Sequence, residues 1–326
     1  MCFRQNKGLA VYTLAMHTNG GFSMGELAET PKHNDLIYDV GMHKGEDSEF
    51  YLQKGFRVVG IEADPDLAQH CRARLQKFLD SGRLTIIEGA VVDPAALVDG
   101  RTKVRFFKNS KASVWGTVQP DWVERNLRLG SPSSATEVDA IDFVDVIAHY
   151  GVPHYMKIDI EGSDMVCVEA LRNFRERPTY LSLESDKTSF ANVQREIAIL
   201  EGLGYDGFQA IEQSGIAQCQ IPPTPSREGV YVAHTFEGGS SGLFGAELEG
   251  EWKSHREILQ QYRAIFVGYM LLDRDGGLLR KWRLPGGYRL RAFARQLLKP
   301  FIRANIPGFY DTHARRSGAL SNGATS

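Results

Sequence analysis

The chain has 326 residues, 42% hydrophobic and 24% charged, enough for one large domain or two ordinary ones around a real core. A net charge of -2 points to no particular partner for the molecule as a whole, and no stretch is long and apolar enough to span a membrane. Four cysteines (Cys2, Cys71, Cys167, Cys219) lie far apart, form no metal-ligand or redox pair, and read as reduced thiols of a cytoplasmic protein.

The lead-in over residues 1–34 holds a mildly apolar run, Gly8 to Met16, without a convincing cleavage site; it reads as a strand or cap rather than a signal peptide. The first clear strand is Leu36 to Val40. It runs through Asp39-Val40-Gly41-Met42-His43-Lys44-Gly45 into a helix over Lys44 to Lys54, stopped by Gly55. Glycines let the backbone curl and let a ligand lie against it outside the carboxyl end of the strand. The pattern Asp-x-Gly-x-x-x-Gly is not the dinucleotide fingerprint Gly-x-Gly-x-x-Gly. Asp39 would repel a pyrophosphate and hold a cationic head such as the sulfonium and amino group of S-adenosylmethionine. An ordinary tight strand-to-helix turn is the plainer alternative.

Phe56 to Glu62 reads as a second strand, and strands alternating with helices predict a parallel sheet. Glu62 ends it about twenty residues after Gly41, where nucleoside-binding folds keep an acid for the ribose hydroxyls. NAD enzymes use the same device, so Glu62 alone does not choose the cofactor. Asp64-Pro65 reads as a helix cap. Leu84 to Glu88 is a third strand, closing in Gly89-Ala90, where a flat base can lie against backbone. Val104 to Lys108 and Glu137 to Phe143 look strand-like. Between them residues 109–136, with Trp115 and Trp122, read as a lid or substrate-gripping loop. Val144 to His149 is a short helix.

Tyr155-Met156-Lys157-Ile158-Asp159-Ile160-Glu161-Gly162 carries charges at alternate positions, which a strand points to one face. A buried strand does not carry three such groups without a task or tight pairing. The competing assignment is a structural Lys157-Asp159 ion pair with Glu161 capping the next helix. Thr179 to Leu183 is another strand. Val193 to Leu203 is a helix with core spacing. Tyr205 to Ile211 and Val230 to His234 are candidates for an antiparallel closing pair.

Those motifs, with Gly60-Ile61-Glu62-Ala63-Asp64-Pro65, Thr136 to Asp142 and Leu183-Glu184, resemble the FkbM family of S-adenosylmethionine-dependent methyltransferases over about Asp35 to His234. Lys157-Ile158-Asp159-Ile160-Glu161-Gly162 is the most specific of them. The resemblance implies an α/β, Rossmann-like class I methyltransferase fold over residues 35–235: a mostly parallel seven-stranded sheet, its last strand antiparallel, with helices on both faces. It implies transfer of a methyl group, usually to oxygen, on a sugar, glycan or secondary metabolite. Asp39, Gly41 and Gly45 would contact the methionine part of the donor, Glu62 its ribose and Ala90 its adenine. Asp159 and Glu161 would sit where donor and acceptor meet. The family usually has an amide at His43 and a glutamate at Asp164. His43 is expected to cap the loop, touch the donor or act on the substrate, in that order.

Asp159 or Glu161 is expected to accept the acceptor's proton, with His43 third and Lys157 orienting Asp159 or stabilising charge on oxygen. No metal is expected. The alternatives are an NAD-dependent oxidoreductase and a non-catalytic nucleoside-binding scaffold. Residues 236–316 read as a partly helical, basic extension. It opens with a glycine- and serine-rich loop, Gly238 to Gly245, followed by a helix over Trp252 to Phe266. Leu278 to Arg316 holds ten Lys or Arg against Asp311 alone. In a helix over Tyr288 to Arg303, Arg291, Arg295 and Lys299 form a basic face, either solvated or set against membrane headgroups or an anionic substrate. No nucleic acid is expected as a partner. Residues 317–326 read as a disordered tail.

Overall fold

The computed structural model describes residues 27–97, 101–111, 113–128, 130–272 and 308–319. The predicted Tyr288–Arg303 helix with Arg291, Arg295 and Lys299, the Gly8–Met16 run and most of the 317–326 tail lie outside these residues.

Seven strands form the main sheet. They are β1 (Lys32–Val40), β2 (Arg57–Glu62), β3 (Leu84–Glu88), β7 (Val152–Ile158), β8 (Tyr180–Glu184), β9 (Gly207–Glu212) and β10 (Tyr310–Arg315), in the order β3-β2-β1-β7-β8-β10-β9. All pair in parallel except β10, which runs antiparallel to both β8 and β9. This is the α/β, Rossmann-like sheet that the resemblance implies, mostly parallel with its last strand antiparallel. Strand order reverses between β1 and β7, and in such sheets a crevice opens there at the carboxyl ends.

Alternating residues of β1 feed two cores. Leu36, Tyr38 and Val40 pack with α5 (Phe143–Tyr150), α6 (Asp164–Ala170), α7 (Phe190–Gly202) and α9 (His255–Leu272). Ile37 packs on the other face with α1 (Glu46–Gln53), α2 (Pro65–Arg74), α3 (Gln76–Asp80) and Phe236, Leu243, Phe244 and Leu248. The helix starts are chemically marked. The side chains of Asp64, Asp142 and Ser189 accept from the backbone N–H groups of Asp66, Val144 and Asn192, and Pro65 occupies the first turn of α2.

Three features depart from the expectation. Val230–His234 is not a strand, and Val230 and Tyr231 are exposed. The closing partner of β9 is β10, a strand from the stretch assigned to the basic extension. Next, β4 (Ala90–Val91), β5 (Lys103–Asn109) and β6 (Ser133–Ile141) form a separate three-stranded sheet in the order β4-β6-β5. Finally, the 109–136 loop contains a helix, α4 (Pro120–Arg128), while the glycine- and serine-rich loop is packed down, with Ser240, Ser241, Leu243 and Phe244 buried.

Candidate functional site

Two cavities open at the carboxyl edge of the sheet. One lies beside β1, β2 and β4, between the β1–α1 loop and the second sheet; the other lies at the end of β8, between α4 and α7. The loop 159–164 separates them: Asp159, Glu161 and Ser163 line the first, Gly162 and Asp164 the second.

The β1–α1 loop turns at Gly41, whose φ of 83° is left-handed. A Cβ there would lie 1.9 Å from the backbone oxygen of Asp159, so this glycine lets the end of β1 meet the end of β7. Gly41 also lines the first cavity. Gly45 does not; its left-handed turn packs against Leu75 and Cys71 and begins α1.

Asp39 is fully buried and lies behind the cavity rather than in its wall. It accepts from Ser48 Oγ at 2.6 Å and stands 3.3 Å from Lys157 Nζ, its register neighbour on β7. Lys157 Nζ also donates to the Gly41 carbonyl and lies 3.7 Å from Asp47 and 3.9 Å from Asp159. Burial alone would discharge this amine, but Asp39, Asp159 and Asp47 outweigh burial and hold its pKa well above the usual lysine value. One ammonium facing three acids leaves the spot short of positive charge.

Asp47, in the first turn of α1, lines the cavity and accepts from the Ser241 N–H at 2.9 and 3.0 Å. Burial, moderated by Lys157 and aided by Asp39, pushes its pKa up to about 7. Glu46 lines the cavity beside it and accepts from the Lys44 N–H. A helix start carrying its own carboxylates does not present the open N–H cradle on which a pyrophosphate sits.

Glu62 is held by two backbone donors, His43 N–H on Oε2 and Asp64 N–H on Oε1, both at 2.8 Å. Each oxygen keeps a lone pair for a ligand in the cavity it lines. Burial raises its pKa to about 7 against the pull of those two N–H groups. Deeper in, Ala63, Ala90, Val91, Phe106 and Val118 make an apolar slot. A Cβ on Gly89 would lie 2.7 Å from the Asp139 carbonyl, so glycine lets β3 turn tightly into the second sheet at this slot.

His43 adopts a left-handed backbone, φ 51°. Its Nε2 is 2.8 Å from Ser113 Oγ, and its Nδ1 is 3.4 Å from Glu46 Oε1. It therefore joins the β1–α1 loop to the 109–136 segment. That segment is fastened again where Thr117 Oγ1 donates to the Glu161 carbonyl at 2.8 Å and Gln119 Nε2 to Ser163 Oγ at 3.0 Å.

β7 ends at Ile158, so Lys157, Asp159 and Glu161 do not share one strand face as the alternation predicts; the last two stand in the loop. Asp159 is solvent-facing, its side chain 46% exposed, while Glu161 is buried with a left-handed φ of 50°. Burial, with Glu184 and Asp159 beside it, pushes the Glu161 pKa up to about 10, which favours its protonated form. Glu184 is raised to about 8 by burial and Asp159. Asp311 of β10, the register partner of Glu184, lies well above the usual carboxylate range for the same reasons. Among the described residues no group of three or more His, Cys, Asp or Glu is arranged to hold a metal, and no helix is long and apolar enough to cross a membrane.

Sequence reasoning missed Asp47, Ser241, Thr117 and Asp311. Asp47 was signalled, as an acid in the first turn after a glycine loop. The others join the site only through contacts distant in the chain.

The family model described as the methyltransferase FkbM domain matches residues 39–221, just over half of the chain. No curated protein matches. Among solved structures, the chain is similar to a precorrin-6y C5,15-methyltransferase from Geobacter metallireducens, at 14% identity and a TM-score of 0.29, covering 56% of this chain and 69% of that one. It is also similar to a putative sarcosine dimethylglycine methyltransferase from Galdieria sulphuraria, at 8% identity and a TM-score of 0.33, covering 88% and 80%. An O-methyltransferase from Bacillus cereus in complex with SAH has 15% identity and a TM-score of 0.31, covering 55% and 67%.

Proposed function

The chain belongs to the FkbM methyltransferase family, and from that premise we propose that it uses S-adenosylmethionine to methylate a hydroxyl of a sugar, glycan or secondary metabolite. One observation carries the choice of donor. The cavity at the β1–α1 turn combines a ribose-type acid, Glu62, an apolar slot at Ala90 and Phe106, and the carboxylates of Asp47 and Asp159 beside Lys157. That donor set fits a nucleoside carrying a cationic tail and disfavours the pyrophosphate of NAD.

Glu62 would accept from the ribose hydroxyls, and Ala90, Val91 and Phe106 would enclose the adenine. Asp47 and Asp159 would hold the ammonium, with the Gly41 backbone beside it. Asp39 acts through Lys157, by fixing its charge and position, and Gly45 acts by shaping the turn. Bound there, S-adenosylmethionine supplies an electrophilic methyl group on a sulfonium.

Because the donor is already activated, the protein's task is alignment and exclusion of water. The 109–136 segment, latched through Ser113, Thr117 and Gln119, covers the junction of the two cavities. Asp159 would accept the proton of the acceptor hydroxyl as that oxygen takes up the methyl group. Glu161, whose raised pKa favours the protonated form, acts as a hydrogen-bond donor that orients the acceptor oxygen. Lys157 keeps Asp159 in place and offsets negative charge developing on that oxygen. His43 caps the loop and ties down the lid.

Calorimetric titration with S-adenosylmethionine, S-adenosylhomocysteine and NAD tests the donor assignment. The first two are expected to bind and NAD not to, with Glu62→Gln weakening both by about tenfold, as for loss of a charge-assisted pair of hydrogen bonds. Binding of NAD alone would overturn it.

A further inference from the structure

The second cavity, about 310 Å³, holds on the order of ten waters, the space of a monosaccharide-sized molecule. Its chemistry is uneven. Asp164 accepts from the Ile160 and Gly162 N–H groups, and Asp186 from Thr188, Ser189 and Asn192. Both acids are therefore satisfied within the protein.

Arg125 of α4 is not. Its guanidinium stacks over Trp122 at 4.2 Å from the ring centroid, and Trp122 packs against Gly162, where a Cβ would lie 2.4 Å from the indole nitrogen. Arg125 Nη1 is buried with no hydrogen-bond acceptor; Glu161 and Glu184 feel its charge, which pulls their pKa values down against burial, but neither accepts from that nitrogen. A buried guanidinium nitrogen left without an acceptor is costly, so one is expected from a ligand. Across the cavity, Glu196 Oε2 is likewise buried and unpartnered, and Lys187 and Arg195 add cations to the wall. Burial together with neighbouring acids raises Glu184 to about 8 and Glu196 to about 7, so these carboxyls can offer both a donor and an acceptor to hydroxyls.

We propose that this cavity is the acceptor site and that the acceptor is a hydroxylated anion, its carboxylate or phosphate held by Arg125 and its hydroxyls by Glu184 and Glu196. The proposal rests on the methyltransferase reading above and adds the charge of the substrate to it. Arg125 is here a binding residue that recognises charge; Asp159 and Glu161 line the first cavity on the other side of the loop 159–164, and both interact electrostatically with Glu184 in this one.

The test is direct binding to the full chain by calorimetry, with glucuronate, glucose 6-phosphate and glucose as probes. At least one of the two anions should bind about tenfold or more tightly than glucose, and their order tells carboxylate from phosphate recognition. Arg125→Gln should remove that advantage and leave the affinity for S-adenosylmethionine unchanged, which also reports that the variant is folded. Arg125→Lys should recover part of it, because it restores charge without the planar fork. Glucose binding as tightly as both anions, neither anion binding, or an undiminished preference in Arg125→Gln would each overturn the proposal. Failure of the donor to bind the unmodified chain would instead sink the methyltransferase reading and leave the anion measurement standing.

Discussion

The two sides of the loop 159–164 are built differently. On the donor side, Gly41, His43, Glu62 and Asp64 lie within 24 residues of one another and are joined largely by backbone groups: His43 and Asp64 donate to Glu62, and Gly41 donates to the Ile61 carbonyl. On the acceptor side, Arg125, Glu184 and Glu196 come from three separate elements, α4, β8 and α7, and face one cavity through their side chains. Backbone-built sites tolerate little, because a turn has few alternatives. A side-chain-built site can change one residue at a time, which suits the part of an enzyme that selects its acceptor.

Breaking the backbone-built side should have the largest effect. Gly41→Ala forces a Cβ to within 1.9 Å of the Asp159 carbonyl at a φ of 83°, so β1 and β7 must separate at their ends. We expect loss of donor binding by more than about a hundredfold and a destabilisation of at least about 2 kcal/mol, from strain and overpacking together. Chemical denaturation and donor titration read the two. A variant that keeps both within twofold of the unmodified chain would mean that the close approach is not needed.

Asp159→Asn sharpens the same contrast from the other side. The side chain is exposed and stands in a loop after β7, so its loss should leave the fold intact. If Asp159 takes the proton, turnover on an accepted substrate falls by roughly 10²–10⁴, the usual worth of a positioned base, while donor affinity changes only several-fold. Equal losses in donor affinity and turnover would reduce Asp159 to a donor ligand.

This asymmetry also explains what could be read from the chain. The parallel core was legible because β1, β2, β3, β7 and β8 are apolar runs bounded by glycine, proline or an acid, and so was the placement of Glu62 at the end of β2, because its spacing from Gly41 is a local matter. β10 was not. Tyr-Asp-Thr-His-Ala-Arg alternates polar groups into a buried position, with Thr312 and His313 almost fully enclosed, and it follows a basic stretch that dominates the composition there. Val230 to His234 looks more like a strand by content, yet the sheet does not use it. Asp39, the acid before the first glycine, faces Ser48 and Lys157 behind the cavity, whose wall is lined instead by Glu46, Asp47, Glu62, Asp159 and Glu161. Ser241 satisfies Asp47 across 194 residues of sequence, a relation that no periodicity records.

The smallest expected effect concerns the carboxyls crowded at the junction. Glu161 is raised from 4.5 to about 10 and Glu184 from 4.5 to about 8 in the folded protein, chiefly by burial. Above pH 4.5 the unfolded chain has released protons that the folded chain keeps. The folded state therefore binds more protons, and the contribution of these groups to stability falls as pH rises towards their folded pKa values. Each group tilts the curve by at most about 1.4 kcal/mol per pH unit. Between pH 6 and pH 9 the donor-free protein should therefore lose Tm steadily, with Glu161 contributing over the whole interval and Glu184 up to about pH 8. Glu161→Gln has no proton to lose, so its Tm should gain on that of the unmodified chain across the same interval. Parallel curves would show that Glu161 is ionised in the folded protein, and the proton acceptor for the hydroxyl would then have to be chosen again between Asp159 and Glu161.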